Sequence, residues 1–171
     1  IALMKDQVDQ ARKRGFRCAF INSSLNKADR EKAYEQLAQR RYEIVYVTPE
    51  RFRKTEFIEA VCKNEISLLA IDEAHCISQW GHDFRPDYSR IKEFRKVLGN
   101  PVTMALTATA TKAVREDIVK QLGLDVSEVK LFNHGIKREG LAMNVHSVVG
   151  TDEKIRAIAA LRHQVSGPAI V

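Results

Sequence analysis

Apolar positions along this chain follow two spacings, and the two alternate from one end to the other. Ile1, Met4, Val8 and Ala11 recur at helical intervals, so the opening residues predict an amphipathic helix, closed by Gly15. Residues 17–21 then read as a short strand. Asn26 is placed to cap a helix running to about Gln39, with Asp29 in its first turn and Ala33 and Leu37 facing inward. Residues 43–47 form a β-rich run that ends at Thr48-Pro49-Glu50, because Pro49 has no amide to pair and pushes Thr48 out of helical geometry. A helix over 55–63 leads to the unbroken apolar run of 66–71, the pattern of a strand buried on both faces of a parallel sheet.

The second half repeats the alternation. Asp87 is placed to cap a helix whose inner face is Ile91, Phe94, Val97 and Leu98, ended by Gly99-Asn100-Pro101. Residues 102–106 predict another buried strand. Thr111 then caps a helix with Val114, Ile118 and Leu122 inward and Gly123 as its stop. Further strands are expected over 129–132 and 141–149, and Gly150-Thr151 opens a helix carrying Ile155, Ile158 and Leu161 on one side. Helix and strand in alternation with short loops call for an α/β fold, a mostly parallel sheet with helices on both faces. The domain boundary is expected near 148–151, giving one domain over 1–148 and a connector with the start of a second over 149–171.

The central apolar run ends in two adjacent acids, Asp72 and Glu73. In open α/β sheets ligands bind just past the carboxyl ends of the strands. One acid there can hold a hydrated Mg²⁺ beside nucleotide phosphates, and its neighbour can orient an attacking water. Just beyond, Trp80 and Phe84 offer stacking faces and Arg85 a planar cation, interleaved with Gly81, His82, Asp83 and Pro86 so that neither helical nor strand periodicity holds. Stacking faces with charge suit a single nucleic-acid strand.

Composition narrows the class. The 171 residues are 44% hydrophobic and 29% charged, ordinary for a globular protein. Lys and Arg outnumber Asp and Glu by 28 to 22, which is compatible with a phosphate-rich partner without demanding one. Cys18, Cys62 and Cys76 are sparse and odd in number, against a disulfide framework and for a reducing, intracellular compartment. His75, Cys76 and His82 lack a fourth ligand at a suitable spacing for zinc. No apolar run approaches the length needed to span a bilayer.

The block Asp72-Glu73-Ala74-His75-Cys76-Ile77-Ser78-Gln79-Trp80-Gly81-His82-Asp83-Phe84-Arg85-Pro86-Asp87-Tyr88 resembles the nucleotide-hydrolysis motif and aromatic-rich loop of RecQ-type DNA helicases. Thr107-Ala108-Thr109 resembles the Ser/Thr-Ala-Thr motif that couples nucleotide state to strand movement. Leu3-Met4-Lys5-Asp6-Gln7-Val8 and Thr48-Pro49-Glu50-Arg51 resemble the family's first and second DNA-contacting motifs. The resemblance implies a RecA-like, P-loop NTPase-type parallel sheet and an ATP-dependent motor moving 3′→5′ on single-stranded DNA and opening forks, in repair and recombination. It implies Mg²⁺ held by Asp72 and water polarised by Glu73. His75 and Gln79 would sense the γ-phosphate side, and Thr107 and Thr109 would couple. DNA would be met by Trp80, Phe84, Arg85, Lys5, Arg51, Thr48, Asn22 and Ser23. A superfamily relative acting on RNA, and a non-catalytic nucleic-acid-binding module derived from such a motor, are the alternatives.

Two departures accompany the resemblance. No glycine is followed by lysine, so the Gly-x-x-x-x-Gly-Lys-Ser/Thr phosphate cradle is absent from these residues. The family carries it upstream, so the chain is expected to start just after it and not to hydrolyse ATP as it stands. Where the family has an Arg-Pro-Asn-containing segment, residues 132–141 read Phe-Asn-His-Gly-Ile-Lys-Arg-Glu-Gly-Leu.

Overall fold

Helix α1, Ala2–Lys13, buries Val8 completely and hands the chain to strand β1, Cys18–Ile21, through Gly15, whose φ of 91° only glycine adopts without strain. The computed structural model describes residues 2–133, 144–164 and 167. Asn26 caps α2 (Lys27–Ala38) by accepting the Asp29 amide at 2.8 Å, and Ala33 and Leu37 turn inward. Strand β2, Ile44–Val47, then runs parallel to β1, with Cys18 opposite Ile44 and Ile21 opposite Val47. A 3₁₀ turn, Pro49–Arg53, leads into α3, Thr55–Val61. Strand β3, Leu68–Ile71, pairs in parallel with β4, Val102–Ala105. Between these two strands lie 3₁₀ turns at Ala74–Ile77 and Pro86–Arg90 and helix α4, Ile91–Val97. Helix α5, Lys112–Leu122, is capped by Thr111, which accepts the Val114 amide at 3.3 Å, and stopped by Gly123 at φ 66°.

The described strands make two two-stranded parallel sheets, β1-β2 and β3-β4, rather than one continuous sheet. Two apolar clusters lie within this part of the chain. One gathers Ile21, Leu37, Phe57, Val61 and Phe94, with Phe52 stacked on Phe94 at a centroid distance of 3.9 Å. The other joins Ile71, Ile77 and Ile91 to Val114, Ile118 and Leu122. Leu69 and Phe52 pack against both, so the end of β3 is anchored between them.

Several expectations are corrected. The run 66–71 is not buried on both faces: Leu69 and Ile71 face the clusters, whereas Leu68 and Ala70 are exposed. Val102, Met104 and Leu106 are likewise exposed, and the register sets Leu68 beside Val102 and Ala70 beside Met104. Strand side chains alternate between faces, and no described element covers the outer face of this pair. Asp87 does not cap α4. Its carboxylate pairs with Arg53 at 2.5 Å, the preceding residues form a 3₁₀ turn, and Val97 points outward. Residues 129–132 form no strand, since they find no pairing partner among the described residues. Residues 144–149 also lack regular structure, while 134–143, with most of the 132–141 departure, and the apolar residues 169–171 lie outside the described residues.

The chain divides into two compact units, Ile1–Lys130 and Leu131–Val171. The described helix of the second is α6, Gly150–Gln164, whose start is held by Glu153 accepting the Val149 amide at 2.6 Å. Among the described residues no helix is long and apolar enough to cross a membrane.

Candidate functional site

Strands β3 and β4 are bound together past their ends. Leu106 donates its amide to the Ile71 carbonyl at 2.8 Å, and Ala74 donates to the Leu106 carbonyl at 2.9 Å. This forces the chain to reverse within Asp72 and Glu73. The reversal puts Glu73 in the left-handed region, φ 49° and ψ 42°, which costs a residue with a Cβ roughly 1–2 kcal/mol. Both acids stay exposed to solvent. Glu73→Gly therefore removes the strain, and it is expected to raise the chain's stability by roughly 0.5–1 kcal/mol in chemical denaturation, even as it deletes the carboxylate. An unchanged or lowered midpoint would mean that the Glu73 side chain holds the turn together.

Behind the acids, His75 is buried. Its Nδ1 lies 3.1 Å from the Thr107 hydroxyl and 3.3 Å from a Glu73 carboxylate oxygen. Thr107 Oγ1 in turn accepts the Thr109 amide at 3.4 Å. One imidazole thus touches both Glu73 and the threonine run after β4. The other side of its ring stacks on His82, centroids 4.6 Å apart.

The aromatic loop grows directly out of this turn. Its base is inside: Cys76, Ile77 and Ser78 are buried. Gly81 closes the loop by donating to the Ser78 carbonyl at 3.1 Å, and a Cβ at position 81 would stand 2.5 Å from the His75 carbonyl oxygen, so only glycine fits. The tip is outside. Trp80 is 80% exposed, Phe84 is at the surface, and Gln79 and Arg85 are exposed. Arg85 donates from its guanidinium to Asp83, which holds the Asp83 carboxyl below the usual carboxylate range and raises the guanidinium pKa. Burial pushes the Cys76 thiol up. Tyr88 packs against the Ile71 cluster, and burial raises its phenol as well.

His75, Cys76 and Asp83 bring one ligand atom each within 4.8 Å. Asp83 is engaged by Arg85 and His75 by Thr107, so the cluster serves as polar packing at the loop base. For Mg²⁺ the donor set at Asp72 fits: an exposed carboxylate with Oδ1 accepting the Glu73 amide at 2.9 Å and its second oxygen directed to no described side chain. A single hard oxygen with room for water is what Mg²⁺ takes.

The other expected contacts divide. Asn22 and Thr48 lie next to each other just past the paired ends of β1 and β2. Ser23 and Lys5 are exposed. Asn22 is fully buried, and its Oδ1 is spent on the amide and hydroxyl of Ser24, at 2.9 and 2.7 Å, so it shapes the loop instead of projecting from it. Arg51, expected to meet DNA, is 9% exposed, and its Nε has no hydrogen-bond partner among the described residues. The 3₁₀ turn begun by Pro49 rolls position 51 inward. A cleft of about 490 Å³ lies at the opposite end of β1, lined by Arg12, Arg17, Arg41 and Tyr42 among others, and includes none of these residues.

Residues 1–118 match the family model for the DEAD/DEAH box helicase. The chain belongs to the DEAD/DEAH box helicase family. Among curated relatives this helicase-family chain is 42% identical, over its whole length, to a probable ATP-dependent DNA helicase RecS of Bacillus subtilis. It is 45% identical over 85% of its length to the ATP-dependent DNA helicase RecQ of that organism, and 41% identical over 75% to that of Pasteurella multocida. The chain spans 34%, 24% and 20% of the length of these three. In the family's terms Asp72 to His75 is the box itself, and three features at its edge escaped the sequence. Ser78, Gly81 and Asp83 brace the loop, and of these only the glycine, isolated in an aromatic stretch, carried a signal.

Proposed function

We propose that the whole protein is an ATP-dependent DNA helicase of RecQ type, moving 3′→5′ on single-stranded DNA and opening forked DNA in repair and recombination inside the cell, cytoplasmic or nucleoid-associated in a bacterium and nuclear in a eukaryote. The observation that carries this reading is the joining of the acid turn to an exposed stacking loop through one buried residue, His75, in contact with Thr107. The acid turn and the stacking loop share one covalent segment of fourteen residues, Asp72 to Arg85.

On the fuel side Asp72 would hold Mg²⁺, which when bound would neutralise charge on nucleotide phosphate oxygens. Glu73 orients the attacking water and takes its proton, and His75 steadies that carboxylate from 3.3 Å. Gln79, exposed beside Trp80, contacts the γ-phosphate side. Thr107 and Thr109 move with the nucleotide state. On the track side Trp80 and Phe84 stack on bases, and Arg85 leaves Asp83 for a phosphate oxygen or a base face. Lys5, Ser23 and Thr48 meet the backbone, with Asn22 and Arg51 supporting the loops from within.

Strand separation tests this. With ATP and Mg²⁺ the whole protein is expected to displace the strand of a DNA duplex bearing a 3′ single-stranded tail, and not of one bearing only a 5′ tail. ATP hydrolysis stimulated by RNA alone would favour an RNA helicase. Binding without any hydrolysis would favour a non-catalytic module.

A further inference from the structure

Ser78 has no exposed surface, yet its hydroxyl makes two hydrogen bonds across the loop base. It donates to Asp117 Oδ2 at 2.6 Å and accepts the backbone N–H of Trp80 at 3.2 Å. The first is short and charge-assisted, the stronger class of hydrogen bond. Asp117 stands in the middle of α5, half-buried, and its second oxygen accepts from the Gln121 amide at 3.3 Å.

Helix α5 is also the direct continuation of the threonine run. Its cap is Thr111, and that run carries Thr107 against His75. From Thr111 to Asp117 the helix advances about 9 Å at 1.5 Å per residue. A rigid rod therefore begins at the loop that touches the nucleotide-side imidazole and carries, less than two turns on, the carboxylate that fixes the backbone of Trp80 through Ser78. Nothing else on α5 reaches the aromatic loop with a polar side chain among the hydrogen bonds of the described residues.

We propose that Asp117 is a positioning residue: acting through Ser78, it holds the Trp80 backbone so that the stacking side chain follows the Thr107 loop. The link to DNA rests on the helicase reading above. The holding itself does not, and is measured separately.

The chain contains one tryptophan, so its emission anisotropy reports Trp80 alone. Asp117→Ala is expected to lower that anisotropy, while Asp117→Asn, which keeps an acceptor oxygen for Ser78, restores it; far-UV circular dichroism stays the same in all three. In the whole protein Asp117→Ala is expected to raise the single-stranded DNA concentration for half-maximal ATPase stimulation about tenfold, the effect of one lost charged hydrogen bond. The DNA-free rate is unchanged, and Asp117→Asn returns within about twofold of wild type. Wild-type anisotropy in Asp117→Ala overturns the proposal. So does a loss of helical signal shared by both variants, which would mark Asp117 as a fold residue only. A wild-type protein without DNA-stimulated hydrolysis would sink the helicase reading and the DNA link with it, and the anisotropy would still decide whether Asp117 holds Trp80.

Discussion

Glu73→Gln is expected to reduce ATP hydrolysis by the whole protein about 10²–10⁴-fold, the range over which a positioned general base contributes. The geometry explains why so small a change weighs so much. Glu73 sits in a left-handed turn imposed by the ties between Ile71, Ala74 and Leu106, so its carboxylate projects into solvent at the strand ends and cannot be replaced from a neighbouring position. Glutamine keeps the size and the contact with His75 but cannot accept a proton at the attacking water. Nucleotide affinity should change little, because in the proposed mechanism Asp72 and not Glu73 is the metal-side acid. Single-turnover hydrolysis alongside nucleotide binding separates the two. A variant that hydrolyses ATP within tenfold of wild type would move the base elsewhere.

Trp80→Ala carries the second large effect, on the track side. Stacking of one base on an aromatic ring is worth about 1–3 kcal/mol, or roughly 5- to 150-fold in single-stranded DNA affinity. Trp80 is 80% exposed and packs against neither apolar cluster, so its removal leaves no cavity and the fold should be unaffected. The loop base is independent of the indole: the Ser78 hydroxyl on the Trp80 amide, the Gly81 amide on the Ser78 carbonyl and the Cys76 carbonyl, which accepts the Arg85 amide at 3.1 Å, hold it without the ring. Arg85→Ala should act in the same direction and make the affinity less steeply dependent on salt, since the lost phosphate contact no longer releases counterions. Fluorescence polarisation of a labelled oligonucleotide at two salt concentrations measures both. Wild-type affinity in the two variants would mean that the loop does not touch the track.

What the sequence made legible was local. The cap residues Asn26 and Thr111 and the stops Gly15 and Gly123 act within a few residues of themselves, and each is where the spacing put it. The acid turn and the aromatic loop were legible because they are contiguous in the chain. Burial was not, because it depends on what else packs against a strand. Residues 68–71 and 102–106 have the composition of core strands, yet one face of each is open. Arg51 shows the same limit from the polar side: a cation in a turn reads as solvent-facing until the turn's rotation is known. Asp87 was drawn from its expected cap by Arg53, thirty-four residues earlier, and Ser78 is held by Asp117, thirty-nine residues later. Partners at such separations leave no periodic trace.

The central claim is that the acid turn and the stacking loop are two ends of one device, joined at His75 and Thr107. Linkage makes this measurable from either end, because a nucleotide that changes DNA affinity must have its own affinity changed by DNA to the same degree. The decisive measurement is the dissociation constant of single-stranded DNA from the whole protein, with and without a non-hydrolysable ATP analogue and Mg²⁺, in wild type and His75→Ala. A nucleotide-dependent change of about 5- to 150-fold in wild type, lost in His75→Ala, is the predicted result. Equal DNA affinity in both nucleotide states of the wild type would contradict it.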